Sequence, residues 1–125
     1  MKIIASKQAP AAVGPYSQAI AAGDLLFISG QIPLVPETGL LISQDIGEQT
    51  EQVLRNLRAV CEAAGGSLNK IAKCTVFMTD LAHFQAMNEV YAKHFAEHKP
   101  ARSTIQVAAL PRGAAVEIEA IMYLK

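Results

Sequence analysis

The chain has no tryptophan, only three tyrosines and four phenylalanines, two cysteines, and no excess charge of either sign. Each shortage removes a class of function. Lysines plus arginines equal aspartates plus glutamates at eleven each, so the basic footprint of a nucleic-acid binder is missing. Few aromatics also leave no interleaved basic-aromatic surface for single strands. Cys61 and Cys74 sit in apolar patterns without ligand spacing and read as buried free thiols, not a disulfide or a zinc site. No apolar run approaches the ~20 residues that span a bilayer, and Met1–Ser6 is too short for a secretory signal. No membrane association and a cytoplasmic protein are therefore expected. No Gly-rich phosphate loop or dinucleotide fingerprint occurs. His94 and His98 lie four apart but lack the His-Glu-x-x-His pattern and a third ligand, so no metal site is expected.

What is present is 51% hydrophobic residues in 125, enough for a core in one domain, residues 1–125. In chain order, residues 2–5 suit a short edge strand. Tyr16–Ala22 and Leu25–Gln31 suit a hairpin turning at Gly23-Asp24. Gly30 in the second strand permits close approach of a backbone or ligand. Ser29 lacks a nucleophile elbow. Residues 32–44 read as a loop with a brief strand at Leu40–Ile42. Asp45, with Glu48 three residues on, predicts a capped helix. Its apolar stripe runs Ile46, Thr50, Val53, Leu54, Leu57, Val60, Cys61, Ala64, and Gly65-Gly66 ends it. Glu48, Glu51, Arg55, Arg58 and Glu62 form its solvated face.

Ile71–Met78 predicts a buried strand. Asp80 predicts the cap of a second helix to about His98, with Leu81, Phe84, Met87, Tyr91 and Phe95 facing the core and Asn88 beside that stripe. Two strands close the chain. Arg102, Thr104 and Gln106 share one face of the first; Glu117 and Glu119 share a face of the second. Joined as a hairpin, they would bring a guanidinium near a carboxylate. The pair then reads either as a site, Arg gripping a carboxylate and Glu moving protons, or as a surface ion pair of little worth. The fold expected is α+β: a mixed six-stranded sheet with two helices on one face, the other face needing cover by self-association.

Gly14-Pro15-Tyr16-Ser17-Gln18-Ala19, Ser29-Gly30-Gln31-Ile32-Pro33, Thr75–Leu81, Pro100-Ala101-Arg102-Ser103 and Val116-Glu117-Ile118-Glu119-Ala120 together resemble the RidA/YjgF family of reactive-intermediate deaminases across essentially the whole chain. The resemblance implies a chorismate-mutase-like fold and a homotrimer with clefts between subunits. It implies hydrolysis of 2-imino acids (2-iminobutanoate, 2-iminopropanoate) and their enamines to 2-oxo acids and ammonia, without cofactor or metal. It also implies a functional link to pyridoxal-phosphate-dependent dehydratases, which release such intermediates. By resemblance Arg102 binds the substrate carboxylate and Glu117 handles water and protons. Tyr16, Ser29, Gly30, Asn88 and Thr104 line the cleft, and Glu119 is structural. Glu97-His98-Lys99-Pro100 is shorter than in many relatives, with Lys99 in a slot usually aromatic, which bears on substrate size. A non-catalytic protein binding 2-oxo acids through Arg102 is the alternative from another class. An endoribonuclease or translation inhibitor is a further one that the neutral charge opposes.

Overall fold

The computed structural model describes residues 1–125. Six strands and two helices form: β1 (Lys2–Ile4), β2 (Ala19–Ala22), β3 (Leu25–Gln31), α1 (Ile46–Ala63), β4 (Ile71–Met78), α2 (Phe84–Phe95), β5 (Ala101–Gln106) and β6 (Val116–Tyr123). They make one mixed sheet in the order β1-β2-β3-β6-β4-β5. Every pairing is antiparallel except β4–β5, where α2 carries the chain back over the sheet and leaves the two strands parallel. No helix is long and apolar enough to cross a membrane.

The expected hairpin of β5 with β6 does not form, because β4 lies between them. Burial explains the exchange. Val116, Ile118, Ala120 and Met122 alternate along β6 at 4% exposure or less, whereas β5 has no fully buried residue. The strand with the apolar face takes the centre and the polar one the edge.

Both helices cover one sheet face. Leu26 and Ile28 of β3, Cys74, Val76 and Met78 of β4, and the β6 residues just named meet Val53, Leu54, Leu57, Val60 and Cys61 of α1 and Met87, Tyr91 and Phe95 of α2. On the opposite face the pairing Ile3↔Ile20↔Phe27↔Ile121 lays an apolar row across four strands. Ile3, Phe27, Ile105 and Tyr123 stay 44–68% exposed there. That face has no cover within the chain.

Asp45 caps α1 through its carboxylate, which accepts from the Glu48 amide at 2.9 Å. At the other end Gly65, φ +84°, lets Gly66 N–H reach the Cys61 carbonyl and Gly65 N–H that of Glu62, a Schellman closure. The buried face of α1 is broader than its apolar stripe, since Gln49, Gln52 and Asn56 are buried too. Asn56 donates to the carbonyls of Ile32 and Leu34, and Gln49 donates to Ser43 and accepts from the Ala115 amide. These amides hold the 32–44 loop and the start of β6. That loop has only one bridge, Leu34↔Leu41, in place of the brief strand expected.

Three other boundaries differ from expectation. Tyr16–Gln18 stays outside β2, because the buried Gln18 amide is bonded to Ser6 and Pro10. Asp80 caps a short 3-10 turn at Leu81–His83, ahead of α2 itself. Leu81 and Phe84 are 40% and 36% exposed, since the first turn overhangs the core. Finally α2 stops at Phe95, not His98. Ala96 has φ 54°, ψ −115°, and His98 N–H bonds the Phe95 carbonyl at 3.1 Å, which makes a type II′ turn with alanine where glycine belongs. Replacing Ala96 by glycine should raise stability by about 1 kcal/mol, relief of strain outweighing the entropy of the new glycine. A thermal melt of Ala96→Gly checks this; an unchanged or lower midpoint would contradict it.

Candidate active site

Arg102 pairs in register with Cys74, a core residue, so its side chain points to the helix side of the edge strand β5. There α2 presents Phe84, Asn88 and Tyr91 on one face, at i, i+4 and i+7. The guanidinium carbon lies 4.6 Å from the Tyr91 ring centroid and 5.5 Å from that of Phe84. One terminal nitrogen donates to Asn88 Oδ1 at 2.7 Å. The aromatic faces fix the cation without neutralising it. No carboxylate pairs with it: the ion pairs of the chain are Arg55–Glu51, His94–Glu51 and Lys125–Asp24. A fixed guanidinium with free donors suits a ligand's carboxylate.

Thr104 lies two residues on, and its Oγ1 and the Tyr91 hydroxyl are buried without hydrogen-bond partners. Burial pushes the Tyr91 phenol upward, so it remains a protonated donor. Beside Arg102 opens a cavity of about 410 Å³, lined in part by Asn88, Tyr91, Phe95, His98, Lys99 and Arg102, within the usual range for small-molecule sites.

Glu117 lies elsewhere. It pairs with Phe77, which pairs with Ile105, so it stands on the sheet face away from the helices. Between Ile28 and Gln31 the β3–β6 register slips by one residue, placing Ser29 and Gly30 in a bulge beside it. The Glu117 carboxylate lies directly against Gly30, where any Cβ would collide with it. Ser29 is held at both ends, its Oγ donating to the Ser17 carbonyl at 2.6 Å and its amide to Gln18 at 2.9 Å. The same loop presents Tyr16 at 55% exposure. Burial, and after it the neighbouring Glu119 charge, pushes the Glu117 carboxyl above the usual carboxylate range.

The residues singled out in the sequence thus form two groups. Arg102, Asn88 and Thr104 are together on the helix side; Glu117, Gly30, Ser29 and Tyr16 gather around the open face. They lie on opposite faces of the sheet with β4 between β5 and β6, so no ion pair joins Arg102 to Glu117. Sequence reasoning placed Phe84 and Tyr91 in the core and missed their contact with Arg102. The signal was their helical spacing from Asn88. Two side chains from the supposed solvated face of α1 are likewise engaged: His94 bonds Glu51 at 2.7 Å and Arg58 at 3.2 Å. Arg55 and His94 hold the Glu51 carboxyl below its ordinary value. His98 bonds the Ile71 carbonyl at 2.6 Å, so the two histidines serve packing contacts on different partners.

The family model described as endoribonuclease L-PSP matches residues 6–124. A RutC family protein of Pyrococcus horikoshii is 52% identical over 122 residues, covering 98% of this chain and 97% of its own. The 2-iminobutanoate/2-iminopropanoate deaminase of Mus musculus is 46% identical over 120 residues, covering 96% and 89%. Among solved structures, E. coli TdcF with bound serine superposes with a TM-score of 0.94 at 46% identity, covering 98% of each chain.

The raised Glu117 carboxyl has a consequence for stability. Below the ordinary carboxylate value it is protonated folded and unfolded, and it adds nothing. As pH rises from there through the raised folded value, the unfolded chain releases its proton first and the folded state loses stability. Glu117→Gln should therefore melt higher than the parent at about pH 7.5, with the gap closing toward about pH 4. Melts across that range check it; a gap that widens in acid would contradict it.

Proposed function

Because the chain belongs to the endoribonuclease L-PSP family, the RidA/YjgF family, we propose that its single domain is a hydrolytic deaminase of 2-imino acids and their enamine tautomers. The observation that carries this reading is the unpaired guanidinium of Arg102, clamped between two aromatic rings and Asn88 at the mouth of a cavity. A protonated imine is already electrophilic at C2, so the chemistry needs orientation and one proton carrier. Arg102 grips the substrate carboxylate and fixes C2. Glu117 takes a proton from water as its oxygen bonds to C2 and the C=N electron pair moves to nitrogen. The carbinolamine so formed receives that proton on nitrogen. Glu117 then takes the hydroxyl proton as C2=O forms and the C–N bond breaks, and it passes that proton to the departing ammonia, which leaves as ammonium. In the single chain burial and Glu119 raise that carboxyl, and an Arg102 facing it acts the other way, favouring the carboxylate that takes the proton from water. An enamine substrate first takes a proton at C3. Ser29, Gly30, Tyr16 and Thr104 shape the cleft. No step calls on a cofactor.

In this reading the two groups meet between subunits. The uncovered apolar face, with Ile3, Phe27 and Tyr123, packs against further copies in a closed homotrimer, and Glu117 of one copy faces Arg102 of the next. Such a site intercepts imines leaving pyridoxal-phosphate-dependent dehydratases in the cytoplasm. The bound serine in TdcF supports recognition of a small amino acid, and it also suits a second reading, a carboxylate-binding protein without turnover. Ribonuclease action has less support, because the net charge is zero and no basic face is evident in the sequence.

A threonine dehydratase reaction generating 2-iminobutanoate beside a trapping amine separates these readings. The protein should speed release of 2-oxobutanoate. Arg102→Ala and Glu117→Gln should each lower that acceleration ~10²-fold or more. Undiminished acceleration in Glu117→Gln would overturn the proton-carrier role. Binding of 2-oxobutanoate without any acceleration would leave the carboxylate binder.

A further inference from the structure

The cavity beside Arg102 holds about 410 Å³ and is lined by residues of α2 and of the segment after it. Ala92, Phe95, Ala96 and Pro100 give it small or apolar walls, and Lys99 lines it as well. Within one chain Arg102 and Lys99 are its two cations, and no acidic residue lines it. His98 also lines it, and its Nε2 is held by the Ile71 carbonyl.

The corner that delivers Lys99 is built under strain. Phe95–His98 makes its tight turn with Ala96 at φ 54°, a conformation alanine avoids, and Lys99 Nζ stands 3.5 Å from the Ala96 carbonyl. Arg102 is itself immobilised by Phe84, Tyr91 and Asn88. A fixed cation, an apolar wall and a second cation three residues away in one cavity match a ligand with two anionic groups and methylenes between them.

We infer that the site takes 2-imino acids whose side chain carries a second carboxylate, of the aspartate or glutamate type. Arg102 holds the carboxylate next to the imine and Lys99 the distal one. This rests on the deaminase reading above and names the substrate class of the same site. Lys99 is exposed, so its contribution is that of a partly solvated ion pair and weakens with salt.

The stable products give the direct test. Calorimetric titration of 2-oxoglutarate and 2-oxobutanoate onto the protein should show the dicarboxylate binding about two- to fivefold more tightly. Lys99→Ala should bring that ratio to about one, while Lys93→Ala, on α2 and not among the residues lining the cavity, should leave the ratio as it was. Equal affinities, no binding of either acid, or a preference that survives Lys99→Ala would overturn the inference. Parallel assays with imines made from glutamate and from 2-aminobutanoate by an amino-acid oxidase separate the two levels. Hydrolysis of the smaller imine without a dicarboxylate preference sinks this inference alone. A Lys99-dependent preference in binding without any imine hydrolysis sinks the deaminase reading and leaves the ligand class standing.

Discussion

The parallel pairing of β5 with β4 is the constraint on which the site depends. It makes β5 an edge strand and sets Arg102 opposite Cys74, hence toward the helices. The antiparallel pairing of β6 on the other side of β4 sets Glu117 opposite Phe77, hence away from them. Strand alternation allows no compromise, because a one-residue slip would turn Val116, Ile118 and Ala120 out of the core. The two charged groups are therefore held apart by the same register that packs the sheet. A chain arranged this way has its cation and its carboxylate each free for a ligand.

Packing then tunes each half. On the helix side, three α2 residues at helical spacing immobilise the guanidinium, and most of its donors stay available. On the open side, a β-bulge and a glycine let the Glu117 carboxylate lie flat on β3, where partial burial and Glu119 disfavour its charge. Buried amides steady the approaches. Gln49 fixes the Ala115 amide two residues before Glu117, and Gln18 fixes the loop that carries Tyr16 and Ser17. Loss of either amide would leave buried backbone groups unpaired, a penalty of about 1–3 kcal/mol each.

Much of this was legible in the sequence. The Asp45 cap, the apolar stripe of α1 and the Gly65-Gly66 stop predicted that helix almost to the residue. Alternation in β6 predicted that Glu117 and Glu119 share a face, and that face lies away from the core. The motifs around Arg102 and Glu117 identified the family, and the matching family model and relatives support it. Strand neighbours were not legible, since periodicity tells which face a residue occupies and not which strand lies beside it. The β5–β6 hairpin failed for that reason. The burial of Gln49 and Asn56 was not legible, because their partners lie 66 and 22–24 residues away along the chain. Tyr91 and Phe84 fitted the apolar stripe, and nothing local told that the stripe's edge would grip a guanidinium.

The central claim is that the catalytic pair is completed between copies of the chain. Co-expression of Arg102→Ala with Glu117→Ala tests it most directly, each variant alone being inactive in imine hydrolysis. In a closed ring assembled at random from equal amounts of both, about a quarter of the interfaces unite an intact Arg102 with an intact Glu117. The account predicts recovery of about a quarter of the parental rate in that mixture. Co-assembled oligomers with no activity above that of the separate variants would contradict it.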